Sequence, residues 1–187
     1  LFGVDNPKLA IEVYEFILDQ APAGNLAAGD RLRLSQLQTQ ADLLDQAVLT
    51  LRGIQRDFPR SDEAAAAQVE LARLLLKMAD RRDAEEYLRR ARIQLEEFLA
   101  NHPEHEYRRE VELMLQIVSE RQADQLLYLG EFYLREAHRR LPAARRYLHD
   151  VIREYPDTTS AALAHFVLAR IEEEQVEPAA TRPDSGG

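Results

Sequence analysis

The densest group of side chains that could do chemistry lies at residues 102–106, which read His-Pro-Glu-His-Glu. Zinc is held when three or four imidazole, thiolate or carboxylate groups converge on one point. The proline predicts a turn here, and His102 takes the position before a proline that is aromatic at Phe58 and Tyr155. We therefore interpret this group as turn residues and expect no metal site.

The residues that other catalytic sites require are missing or wrongly spaced. The chain has no cysteine, which excludes thiolate catalysis, disulfide bonds and cysteine zinc sites within it. It contains neither a glycine-rich phosphate loop nor a nucleophile elbow. Its carboxylates alternate with arginines at the i, i+4 spacing of helices, as in Glu85 with Arg89 and Glu86 with Arg90. That spacing is typical of surface ion pairs, so we expect no enzymatic activity and no cofactor.

The charge balance bears on possible partners. Lysine and arginine number 24 against 33 aspartates and glutamates, for a net charge of −9. Nucleic-acid-binding proteins present basic surfaces to the phosphates, so we expect no nucleic acid partner. The chain has no run of 18 apolar residues, so no segment is expected to span a membrane.

One pattern recurs four times along the chain: an alanine, a large apolar residue four positions later and a proline twelve positions later. The copies are Ala10/Tyr14/Pro22, Ala47/Leu51/Pro59, Ala91/Leu95/Pro103 and Ala144/Leu148/Pro156. A leucine follows each proline by twelve residues, at Leu34, Leu71, Leu115 and Leu168. The small residue lets two helices approach, the bulky residue fills the space beside it, and the proline ends the helix. We therefore predict an all-α, tetratricopeptide-like helical-repeat superhelix.

The helices that must build this repeat can be placed from capping residues and prolines. The predicted helices cover about 7–20, 26–40, 43–57, 62–79, 84–100, 106–138, 142–155 and 159–174. The first is expected to carry Leu9, Val13, Phe16 and Ile17 on its apolar face. Ser61 is expected to cap the fourth helix, the capping box at residues 83–86 the fifth, and Thr158, Thr159 or Ser160 the last.

A long linking helix is the most distinctive predicted element. Residues 106–138 contain no proline and a single glycine, Gly130, and their apolar residues keep helical spacing. The alternative is two helices with a break near residues 122–124. The predicted organisation is N-terminal helical repeats at 1–104, the long helix with a C-terminal repeat at 105–175, and a disordered tail at 176–187.

The sequence resembles the family of outer-membrane assembly lipoproteins called BamD, or YfiO. The strongest match is 120–174, which contains the stretch ERQADQLLYLGEFYLREAHRRLPAARRYLHDVIREYPDT. The stretch DRRDAEEYLRRARIQLEEFLANHPEHEY at 80–107 is similar to the repeat before it. Earlier repeats match more loosely, through AVLTLRGIQRDFPRS and AIEVYEFILDQAP. One departure is Tyr147, which stands where the family usually has an arginine, nine residues before the Tyr-Pro proline.

The resemblance implies a non-enzymatic scaffold on the periplasmic face of the outer membrane, held by an N-terminal lipid anchor that is not present in this chain. Its implied partners are the barrel-inserting protein BamA, other subunits of the assembly machine and unfolded outer-membrane proteins. We expect contact with the barrel-inserting partner at Tyr133, Arg145, Arg146 and Tyr147, and peptide or a partner domain in the N-terminal half.

A second hypothesis is another periplasmic tetratricopeptide protein, of the CpoB type that coordinates envelope processes. The two differ in the long uninterrupted helix, which simple repeat arrays lack.

Overall fold

The computed structural model describes residues 7–21, 27–81, 83–135 and 140–176, with side chains up to residue 173. Within these ranges every regular element is an α-helix, and the prediction of an all-α helical-repeat fold is confirmed. The helices are α1 (Pro7–Gln20), α2 (Ala27–Gln40), α3 (Leu44–Asp57), α4 (Asp62–Ala79), α5 (Ala84–Asn101), α6 (Arg108–Leu134), α7 (Leu141–Glu154) and α8 (Thr159–Val176). None of the described helices is both long and apolar enough to cross a membrane.

The predicted repeat is visible in the way α3, α5 and α7 end. The residue after each helix, Phe58, His102 or Tyr155, precedes a proline and has φ of −130°, −131° or −136°. A residue before proline is excluded from the helical region by the proline ring. Each of these residues still donates its backbone N–H to the carbonyl four positions back, which closes the last turn. The counterpart in the first copy, Pro22, lies outside the described residues.

The repeated alanine and leucine positions form the core. Ala47, Ala91 and Ala144 are fully buried, and so are Leu51, Leu95 and Leu148 one turn later. The pattern therefore predicted correctly which side of α3, α5 and α7 faces inward.

The helix starts match the capping predictions in two of three cases. The hydroxyl of Ser61 accepts the N–H of Ala64 at 3.1 Å, and that of Thr158 accepts the N–H of Ala161 at 3.1 Å. The predicted capping box at Asp83 is wrong, because Asp83 has a left-handed backbone (φ 42°) and its side chain makes no capping bond. In that conformation the carboxylate does not reach the free N–H groups of α5.

The apolar face predicted for α1 is not the side that packs on α2. Leu9, Val13, Phe16 and Ile17 are exposed. The opposite side packs against α2 instead, through a cluster of Ala10, Ile11, Tyr14 and Leu18 with Leu34 and Leu37. Because α1 is apolar on both sides, its composition did not decide which side α2 covers.

The long helix α6 is continuous from Arg108 to Leu134, without a break near residues 122–124. The predicted end at His138 lies outside the described residues. The chain divides into two compact units, Leu1–Val118 and Ser119–Gly187, and the division falls inside α6. The predicted boundaries after residues 104 and 175 were placed from the repeat pattern and not from contacts between helices. They stay predictions. The predicted tail lies outside the described residues from 177 onward.

Candidate protein-interaction site

The candidate site lies in the second unit, where the last turns of α6 pack closely on α7. A Cβ atom added to Gly130 would lie 3.0 Å from Leu148 Cδ2 and 3.1 Å from Leu148 Cγ. Contacts that short are essentially repulsive, so the absence of a side chain at Gly130 permits this approach. Ala144, the small residue of the repeat, is fully buried one turn before Leu148. The close approach brings the residues one turn further along α6 beside α7.

Tyr133 and Tyr147 meet as a result of this approach. Their rings are stacked, with centroids 5.7 Å apart and planes 3° apart. The carbonyl of Tyr133 also accepts the N–H of Arg140, the residue before α7, at 2.9 Å. Both tyrosines are half-buried, so each ring keeps one part in the interior and one part at the surface. This arrangement holds two aromatic groups in fixed positions at the surface.

Two further aromatic residues extend this surface. Phe132 lies edge-on to Tyr133, with centroids 5.3 Å apart and planes at 80°. Tyr128 is exposed, and the guanidinium carbon of Arg135 lies 5.8 Å from its ring centroid. We call Tyr128, Phe132, Tyr133 and Tyr147 the aromatic patch. Patches of this composition are typical of protein interfaces, where tyrosine and arginine provide much of the binding energy.

The two arginines predicted for the site differ from the tyrosines in their burial and contacts. Arg145 is partly buried on α7. Arg146 is exposed, and its Nε lies 3.8 Å from Asp150 Oδ2, one turn along the same helix. Of the four predicted residues, the structure therefore brings Tyr133 and Tyr147 into contact. The role of all four in binding a partner remains a prediction.

Sequence reasoning missed two residues that position this unit. The sequence marked Gly130, because it is the single glycine in a long proline-free stretch. It did not indicate that Gly130 would contact Leu148. No sequence pattern marked Glu120. Its carboxylate accepts the N–H groups of Thr159 at 3.0 Å and Ser160 at 3.2 Å. These are the first free N–H groups of α8, so a residue of α6 caps a helix that begins 39 positions later.

A second surface lies in the first unit, as a groove of about 290 Å³. Thr39 and Gln40 of α2 and Arg73 and Lys77 of α4 line it, with Leu51 at its base. Lys77 Nζ donates to the carbonyl of Thr39 at 3.4 Å. Arg73 lines one side of this groove, and its guanidinium is held in place by ion pairs with Glu70 and with Glu110 of α6. A groove with a mostly apolar surface and charged side chains beside it suits a peptide.

The histidine turn is packed as a cluster of rings. Phe98 lies 5.0 Å from His102 and 5.4 Å from His105, measured between centroids. The Nδ1 atom of His105 accepts the backbone N–H of Tyr107 at 3.2 Å. No three His, Cys, Asp or Glu side chains within the described ranges form a group that could hold a metal ion.

Surface ion pairs join different helices and turns of the first unit. Hydrogen bonds from Arg56 and from Arg31 of α2 hold the pKa of Asp57 well below its ordinary value. A hydrogen bond from Arg81 lowers the pKa of Asp42 in the same way, with both carboxylate oxygens 2.7 Å from Nη1. Exposed pairs of this kind contribute little to stability individually, and here they connect neighbouring helices.

The fold is that of a helical-repeat protein, a class whose members present extended surfaces to other proteins. Residues 77–182 match the model of the YfiO family, described as outer membrane lipoprotein, and this match covers more than half of the chain. The chain therefore belongs to the YfiO family of outer membrane lipoproteins. The match includes α5 to α8 and leaves α1 to α3 outside, so the looser resemblance of the first repeats is not part of it. No curated protein has significant similarity to this chain.

Proposed function

We propose that this protein is a non-enzymatic scaffold subunit of the machinery that assembles β-barrel proteins in the outer membrane. It docks the barrel-inserting partner, a BamA-like protein, together with other subunits, and it receives unfolded outer-membrane proteins. It is held at the periplasmic face of the outer membrane by a lipid. The observation that carries this proposal is that the family match spans every residue of the aromatic patch.

The aromatic patch is the proposed contact for the barrel-inserting partner. Stacking fixes the rings of Tyr133 and Tyr147 before binding, so little side-chain freedom is lost when a partner docks. Arg145 and Arg146 would add charged contacts at the rim, where they affect association more than affinity. The groove between α2 and α4 is the proposed site for peptide or a partner domain.

The alternative, a periplasmic tetratricopeptide protein of the CpoB type, fits two observations less well. A simple repeat array has helices of similar length, whereas α6 has 27 residues against 14 to 18 in the other helices. The family match also runs through α6 and the repeat after it. Both observations favour the assembly scaffold.

Purification of the tagged protein from membranes tests the proposal. The wild type should recover a barrel-assembly component, identified by mass spectrometry. Tyr133→Ala with Tyr147→Ala should reduce this recovery strongly, because the double change removes the stacked pair. Leu49→Ala, which shortens an exposed apolar residue of α3, is the matched control and should bind as the wild type does. Recovery of no barrel-assembly component with the wild type would contradict the proposal.

A further inference from the structure

The groove between α2 and α4 has one wall of neutral polar side chains and one wall that carries charges. On the α2 wall the hydroxyls of Ser35 and Thr39 each donate to a carbonyl of their own helix, at 2.7 Å and 2.8 Å. Both hydroxyl hydrogens are therefore used within α2. The charged side chains of the lining all belong to the α4 wall, and they are Glu70, Arg73 and Lys77.

The charges on the α4 wall are unevenly balanced. The guanidinium of Arg73 pairs with two carboxylates, those of Glu70 and Glu110, so negative charge is in excess around it. Seven residues separate Glu70 from Lys77, which is about 10 Å along the helix. This distance is close to the screening length at physiological ionic strength, so the two ends of the groove act largely separately on a charged ligand.

The ammonium of Lys77 is the unbalanced charge at the other end of the groove. Its Nζ donates to the carbonyl of Thr39 at 3.4 Å, a long hydrogen bond that uses one of its three N–H groups. None of the described residues places a carboxylate within ion-pair distance of it. The nearby carboxylate of Asp42 is held by Arg81, whose Nη1 lies 2.7 Å from both of its oxygens. Two N–H groups of Lys77 therefore point to no acceptor among the described residues.

An apolar floor lies beside this ammonium. Leu51 of α3 and Leu74 of α4 line the groove, and Leu74 precedes Lys77 by three residues on the same helix. Residues at this spacing are neighbours on a helix surface, with Cβ atoms about 5–6 Å apart. In an extended peptide, side chains two residues apart point the same way and are about 6–7 Å apart. A peptide that lies along α4 therefore places one side chain on the floor and the next of that side at Lys77.

We propose that this groove binds an extended peptide segment in which an acidic side chain stands two residues from an apolar one. The apolar side chain lies on Leu51 and Leu74, and the carboxylate pairs with Lys77. The two turns of α4 that line the groove are about 10 Å long, which is the length of about three extended residues. The inference rests on the proposed function, in which the groove receives a peptide, and it adds the chemistry of the segment.

A side-chain carboxylate fits this groove better than the carboxyl end of a chain. Carboxyl ends are commonly held by several backbone N–H groups that form a nest. Here the lining residues of α2 and α4 lie inside helices, where the backbone N–H groups are bonded within the helix. A single ammonium beside an apolar floor suits one side-chain carboxylate.

Binding of short fluorescent peptides with both ends capped tests the inference. One peptide carries Leu-Ser-Asp and the other Asp-Ser-Leu, because the groove does not fix the direction of the chain, and each has a partner with asparagine in place of aspartate. At least one aspartate peptide should bind about three- to tenfold more tightly than its asparagine partner, as expected for a hydrogen-bonded ion pair at a partly exposed site. Fluorescence anisotropy measures the affinities.

Lys77→Gln should remove this preference. It should weaken binding of the aspartate peptide to the level of the asparagine peptide and leave binding of the asparagine peptide unchanged. Arg52→Gln removes a positive charge from an exposed position of α3, and this matched control should keep the preference. Circular dichroism checks that both variants are folded.

The inference would be overturned by any of three results: no binding of either aspartate peptide, equal affinity for the aspartate and asparagine peptides, or a preference that survives Lys77→Gln. A peptide without aspartate that ends in leucine with a free carboxyl group should bind no better than the asparagine peptides. Binding of this peptide as tight as that of the aspartate peptide would assign the groove to chain ends and overturn the inference as well.

Purification from membranes keeps this inference apart from the proposed function. Lys77→Gln should recover the barrel-assembly component as the wild type does, because the aromatic patch is unchanged. Recovery of that component together with peptide binding that ignores Lys77 would contradict the inference alone. Lys77-dependent peptide binding without recovery of the component by the wild type would contradict the scaffold function alone.

Discussion

The rings of Tyr133 and Tyr147 lie parallel at the point where α6 ends and α7 begins, with centroids 5.7 Å apart and planes at 3°. The two residues are 14 positions apart in the sequence, and they meet because Gly130 lets α6 approach Leu148. The stack therefore depends on the packing of the two helices and also fixes the centre of the aromatic patch.

The stacked pair should show a favourable coupling energy in the unfolding of the protein. In a double-mutant cycle of Tyr133→Ala and Tyr147→Ala, we expect a coupling of about 0.5–1.5 kcal/mol, the usual contribution of an aromatic pair. Urea unfolding of the wild type, both single variants and the double variant measures it. Tyr147→Phe keeps the ring and should retain most of this energy. Additive effects of the two alanine changes would show that the stack contributes nothing to stability.

Gly130→Ala and Gly29→Ala should change stability in opposite directions. Alanine is better than glycine in a helix by about 1 kcal/mol, and the new methyl group at Gly29 has no atom within 4 Å. At Gly130 the methyl group would press on Leu148, and overpacking of a core costs about 1–3 kcal/mol. We expect Gly29→Ala to stabilise by up to about 1 kcal/mol and Gly130→Ala to destabilise by up to about 2 kcal/mol. Thermal unfolding of the two variants measures the difference, and equal stabilisation by both would refute the close approach of α6 to α7.

Removal of the Glu120 carboxylate should destabilise the second unit. Glu120 accepts two N–H groups of the first turn of α8, and loss of a helix cap typically costs about 0.5–2 kcal/mol. Glu120→Ala should therefore lower the unfolding free energy by this amount, and hydrogen exchange should speed up at Thr159 and Ser160. Glu131→Ala, at an exposed position of the same helix, is the control and should have little effect. Unchanged exchange at the start of α8 would mean that Glu120 does not cap it.

The ion pairs of Asp57 should make stability depend on pH. Because Arg56 and Arg31 lower the pKa of Asp57 in the folded protein, its contribution is present above the unfolded pKa of about 3.9 and is lost as the pH falls through the folded value. Asp57→Asn should therefore have a lower urea midpoint than the wild type at pH 6, and the difference should shrink below about pH 4. Gln46→Ala, at an exposed position of α3 that does not titrate, is the control and should show no such trend. A difference that is constant with pH would contradict the assignment.

The parts of the fold that could be predicted from the sequence are those set by local chemistry. Prolines stop α3, α5 and α7 because they act on the residue before them, and the buried alanine and leucine positions follow from helical spacing. The continuous α6 also follows, since nothing between residues 108 and 134 breaks a helix. These features need no knowledge of which helices are neighbours.

The features that could not be predicted depend on such neighbours. The side of α1 that packs inward was decided by α2, because apolar residues occur on both sides of α1. The cap of α8 by Glu120 joins residues 39 positions apart, and no local pattern marks it. In the turn between α4 and α5, the left-handed backbone of Asp83 prevents the cap that its sequence pattern predicts. For the candidate site, residue type pointed to Tyr133 and Tyr147, whereas their stacking required the contact between Gly130 and Leu148.

We propose that the aromatic patch docks the barrel-inserting subunit of the outer-membrane assembly machine. Site-specific photocrosslinking in cells tests it most directly, with a benzophenone amino acid placed at position 147, at position 128 and, as a control, at position 49 of α3. We predict that positions 147 and 128 crosslink to the BamA-like partner and that position 49 does not. Crosslinks from position 49 alone, or none to any assembly subunit from positions 147 and 128, would contradict the claim.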